Sequence, residues 1–84
     1  MKRRHDRPDG PCRAFARGLR AIRRQMGRTQ KSLTIDVWGV EVAYSGRVSN
    51  IETSRHGLTL TTAYLLAQSL GTTIDAVIAA GEKP

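Results

Sequence analysis

Phe15, Leu19, Ile22 and Met26 stand at i, i+4, i+7 and i+11, a spacing that lays apolar side chains along one stripe of an α-helix. Arg17, Arg20, Arg23 and Arg24 lie mainly outside that stripe, so a helix beginning near Ala14 is predicted to pack by one face. Gly27 stands where a left-handed C-terminal cap belongs, and the Thr29 hydroxyl can cap a second helix starting near Gln30. In that helix Leu33 and Val37 form a buried i, i+4 pair, which Ile35 or Trp38 can widen. A further helix reads from Ser45 to Glu52, with Val48 and Ile51 inward and Ser45, Arg47, Ser49 and Asn50 outward. Thr59 is placed to cap a helix carrying Leu60, Ala63, Leu66, Ala67 and Leu70, which Gly71 stops. Thr72 or Thr73 then caps a last short helix, with Asp75 in its favourable first turn and Ile74, Val77 and Ile78 along an apolar edge. The expectation is an all-α chain of five helices with no strand.

At 84 residues the chain is one small domain with a modest core, rarely enough for an enzyme with its own pocket. Asp36, Glu41, Glu52 and Asp75 form no recognisable acid and base pair, and there is no Gly-rich phosphate loop or nucleophile motif. No catalytic residue is expected. The formal net charge is +7, a surplus that favours polyanions. It is unevenly placed: residues 1–31 hold eleven Lys+Arg and two Asp, whereas residues 32–84 hold three Lys+Arg and five Asp+Glu. The single Cys12 cannot form an internal disulfide, and Cys12, His5 and His56 are too few and scattered for a structural zinc site, so no metal or cofactor is expected. No apolar run is long enough for a signal-peptide core or a membrane span, and a cytoplasmic protein is expected. Residues 1–13 combine two prolines, a glycine and five basic residues and read as a disordered basic arm. Residues 14–80 read as the folded domain and 81–84 as a tail.

The stretch from Leu19 through Gly27, Thr29 and Gln30 to Leu33, followed by Val48-Ser49-Asn50-Ile51-Glu52 and then by Leu60, Leu66, Ala67, Leu70, Gly71 and Asp75, resembles the helix-turn-helix domains of the Cro and lambda-repressor family, also called the Xre family. The resemblance implies a five-helix lambda-repressor-like fold that reads double-stranded operator DNA. On this resemblance Gln30 clasps a backbone phosphate at the start of the second helix, and Arg28, Thr29 and Lys31 can add phosphate contacts. Tyr44, Ser45, Gly46, Arg47 and Asn50 fall nearest the bases or flanking phosphates, with Ser49 beside them; Arg47 can grip guanine as a fork and Asn50 can pair with adenine. Arg55 and His56 lie in the following loop, where the backbone is commonly contacted, and Glu52 is read as structural, holding that loop or a nearby basic side chain.

The chain departs from the family pattern between Leu33 and Ile51, where it carries about four extra residues, roughly one helical turn. Gly39 and the β-branched Val40 and Val42 disfavour a longer helix there. A longer turn is expected instead, with Trp38 folded against the core and Glu41 turned from phosphate. The expected function is a small transcription regulator, a self-controlling repressor that binds a two-fold operator as a homodimer through Ile74, Val77 and Ile78. Two alternatives stay open. One is an antitoxin that also binds DNA; the other is a protein or RNA interaction module, with the arginines of the first helix forming a basic amphipathic stripe that could also lie on an acidic membrane.

Overall fold

A computed structural model describes residues 10–53 and 58–83 of the chain. Five α-helices follow one another: α1 (Pro11–Gln25), α2 (Gln30–Trp38), α3 (Arg47–Glu52), α4 (Leu60–Ser69) and α5 (Ile74–Glu82), with a short 3-10 turn over Val40–Val42. No strand occurs among the described residues. Local chemistry sets most of the boundaries. Thr29, Thr59 and Thr73 each accept a hydrogen bond from an amide three residues on, those of Ser32, Thr62 and Ala76, satisfying one of the free donors at each helix start. After α1 the Arg28 amide reaches back to the Arg23 carbonyl and the Gly27 amide to that of Arg24, closing the helix in the manner that a glycine at its C-terminal side allows.

Both ends of the folded domain differ from the sequence reading. Pro11 opens α1, so Pro11, Cys12 and Arg13 belong to a helix and not to the arm; proline is favoured at a first helical position because its missing N–H would have no partner there. At the other end α5 runs to Glu82 and Gly81 is buried, so residues 81 and 82 belong to the folded domain and not to a tail.

The core gathers one face from every helix: Phe15 and Leu19 from α1, Leu33 from α2, Val48 and Ile51 from α3, Ala63, Leu66 and Ala67 from α4, Leu70 just past it, and Val77 from α5. Each of the larger side chains contributes about 1.5 to 3 kcal/mol by leaving water. Met26 stays 51% exposed. The buried stripe of α1 continues instead through Arg23, at i+4 from Leu19, and Ile22 is half-buried at its flank.

The tightest packing is between α1 and α5. A Cβ added at Gly18 would overlap the Val77 carbonyl, and one added at Gly81 would overlap that of Ala14, so the two backbones meet where neither helix carries a side chain. Arg17 Nε also donates to the Gly81 carbonyl at 2.9 Å. Thr34, buried in α2, satisfies its hydroxyl on the Gln30 carbonyl at 2.8 Å. Among the described residues no buried side-chain polar atom lacks a partner.

Candidate nucleic-acid interface

Glu52, the last residue of α3, is where α1, α2 and α3 are joined. Arg23 Nε donates to Glu52 Oε2 at 2.7 Å and Nη2 donates to Oε1 at 3.1 Å, while Gln30 Nε2 donates to the same Oε1 at 2.9 Å. The Arg23 and Glu52 side chains are only 10% and 2% exposed. A forked pair held this far from water is geometrically specific, and removing either partner would leave a buried charge uncompensated. Arg23 Nη1 further donates to the Arg28 carbonyl at 2.9 Å, tying in the turn between α1 and α2. Glu52 is thus structural, as its position suggested. Arg23 is a correction to the sequence reading, which puts it mainly outside the apolar stripe: it is buried four residues after Leu19, on the same face, and a charge at that spacing is the signal for an internal partner.

Gln30 is half-buried, and one of its two amide hydrogens is used on Glu52; a side-chain amide has a second donor to offer. Thr29 and Lys31 on either side of it are exposed. Lys31 Nζ donates to the Tyr44 hydroxyl at 2.5 Å and lies 4.4 Å from the ring centre. The first turn of α2 therefore contacts both ends of the segment 44–52, Tyr44 through Lys31 and Glu52 through Gln30.

Within that segment the helix is shorter than expected. α3 starts at Arg47, so Ser45 and Gly46 precede it and do not belong to its first turn. Gly46 adopts φ 77°, the left-handed region that costs other residues steric strain, and this sharp entry is what stops the helix extending back to Ser45. The Ser45 hydroxyl accepts from the Arg47 amide at 3.4 Å. Val48 and Ile51 anchor one side of α3 in the core, while Arg47 is exposed and Ser49 and Asn50 are half-buried. Upstream, Gly39 at φ 104° ends α2 just after Trp38, and the Val40–Val42 turn carries the chain on to a buried Ala43. α2 thus breaks after Trp38, where Gly39, Val40 and Val42 disfavour its continuation. Trp38 is half-buried against the core, Glu41 is exposed, and the Arg47 guanidinium lies 5.5 Å from the Trp38 ring centre.

Arg28 is engaged within the fold. Its Nε donates to the Ser32 hydroxyl at 3.1 Å, Nη1 to the Ser69 carbonyl at 3.2 Å, and Nη2 is 3.8 Å from Asp36, which also accepts from the Ser69 hydroxyl. Arg28 thus links α2 to the end of α4. Arg55 and His56 lie outside the described residues.

One expected interface residue is corrected. Val77 is fully buried in the core of its own chain, under α1, and has no surface left for a second copy. Ile74 and Ile78 are half-buried, packed against the same core. They line, with Phe15, Leu58, Leu60 and Ala63, an open apolar groove of about 210 Å³, and Leu60 at its edge is 77% exposed. Among the described residues no single helix is long and apolar enough to cross a membrane.

No family model matches the chain, and no curated protein or solved structure gives a significant match.

Proposed function

We propose that this chain is a duplex-DNA-binding transcription regulator of the Cro and lambda-repressor type, in which α2 and α3 form a helix-turn-helix and α3 enters the major groove. The observation that carries the reading is the joining of the first turn of α2 to the segment 44–52 through Gln30–Glu52 and Lys31–Tyr44. It supports the reading because it joins the turn that carries Thr29, Gln30 and Lys31, proposed as phosphate contacts, to the segment that carries Arg47 and Asn50, proposed as base contacts. Backbone contacts orient a protein on the duplex, and side chains on the groove-facing helix read it. The positive net charge of +7 supports the same partner.

The membrane-surface alternative needs the apolar stripe of α1 to be free, yet Phe15 and Leu19 are fully buried. Exposing them would dismantle the core. A two-fold dimer remains part of the proposal, with the part-exposed Ile74 and Ile78 and the neighbouring Leu60 forming the apolar edge in place of Val77. Repression of its own gene by such a dimer makes the upstream duplex the natural first target.

Footprinting the purified chain on the duplex upstream of its gene tests the reading. A protected two-fold site, with affinity falling by orders of magnitude between low and moderate salt, is expected. Equal affinity for that duplex and for a scrambled one at physiological salt would overturn it.

A further inference from the structure

Arg47 is the first residue of α3, and Trp38 is the last residue of α2, nine positions earlier on the far side of the 3-10 turn. The turn folds back so that the guanidinium of Arg47 sits 5.5 Å from the centre of the Trp38 ring, inside the range at which a cation is attracted to an indole face. The ring itself is held: Trp38 is half-buried and packs against the core. Arg47, by contrast, is exposed, and among the described residues its guanidinium has no hydrogen-bonded or ionic partner.

A cation attracted to a ring face need not spend a hydrogen bond on it. The five N–H donors of a guanidinium point outward in its plane, so the contact restricts the side chain without consuming the donors that recognise a partner. An exposed arginine otherwise loses substantial rotamer freedom when it binds. A ring fixed by the core removes part of that loss beforehand. Resting on the DNA-binding reading above, we propose that Trp38 is a positioning residue that pre-orients Arg47 as a fork for guanine, so that the extra turn between α2 and α3 sets base specificity without touching a base. Guanine is the base whose O6 and N7 acceptors in the major groove match two parallel N–H donors.

The test uses the full chain and a duplex library with a randomised core, from which each variant selects its preferred sites. The wild-type protein is expected to select a site with one strongly favoured guanine per half-site, and Arg47→Lys, which keeps the charge and loses the fork, is expected to lower that preference about tenfold. Trp38→Met keeps a bulky apolar group against the core but has no ring; it is expected to lower the preference at the same guanine about two- to fivefold and leave the other positions unchanged, with Trp38→Phe restoring it. Thermal melting of every variant separates specificity from folding.

Selection of no preferred site by the wild-type chain would overturn the DNA-reading itself. Selection of a site at which Arg47→Lys keeps the full guanine preference would overturn only the present inference, whether or not the Trp38 variants fold. So would a Trp38→Met protein that loses affinity evenly at every position in step with a lowered melting temperature, because Trp38 would then act through the core alone.

Discussion

Arg23 on α1 and Glu52 at the end of α3 form a two-point ion pair, with Nε to Oε2 at 2.7 Å, although twenty-eight residues of chain lie between them and both side chains are nearly excluded from water. Because Gln30 donates to the other oxygen of the same carboxylate, one side chain fixes the relative placement of three helices. Any surface that α2 and α3 share depends on it.

Arg23→Met or Glu52→Leu alone should destabilise the fold by about 3 to 5 kcal/mol, since each leaves a buried charge without its partner. The double variant should recover much of that loss. Urea unfolding of the four proteins measures the coupling, and single variants as stable as the wild type would show that the pair contributes nothing to the fold.

Gly18→Ala and Gly81→Ala should each cost about 3 kcal/mol or more. A methyl group at either position meets a backbone carbonyl of the facing helix, which cannot rotate away as a side chain could. Thermal melting checks this. An unchanged midpoint in both would mean that α1 and α5 do not approach each other this closely.

Arg47→Ala and Asn50→Ala should each weaken binding to a specific duplex by about 1 to 3 kcal/mol, whereas Gln30→Ala should weaken specific and scrambled duplexes more evenly. Gln30→Ala also removes a hydrogen bond to Glu52, so its melting temperature should be read alongside its affinity. Binding isotherms on both duplexes at two salt concentrations distinguish the roles, and a larger sequence preference lost at Gln30 than at Arg47 would reverse the assignment.

Val77→Asp should unfold the chain and not merely dissociate it, because the carboxylate would enter a fully buried site under α1. Ile78→Asp, at a half-buried position, is the suitable probe of association. Sedimentation of a folded Ile78→Asp protein should show monomers where the wild type shows dimers. A wild-type chain that is already monomeric at tens of micromolar would remove the dimer.

The helices were legible in the sequence because their determinants are local. Threonine hydroxyls reach amides three residues away, Gly27 and Gly39 end helices through their own backbone angles, and the spacing of Phe15 and Leu19 or of Leu66 and Leu70 marks a buried face without reference to any other segment. The break after Trp38 is likewise local, since Gly39, Val40 and Val42 disfavour a continuing helix. What the sequence left open was every property that depends on two segments meeting. Arg23 looked like one more surface arginine until Glu52 arrived from α3 to make its burial tolerable. Val77 looked like a spare apolar edge until Gly18 let α5 lie directly against α1 and cover it. Met26 looked buried by spacing, yet it stands just past α1 as the cap of that helix, and it stays exposed. Spacing along one helix states which side chains share a face, and only the packing of the other helices decides whether that face is covered, and by what.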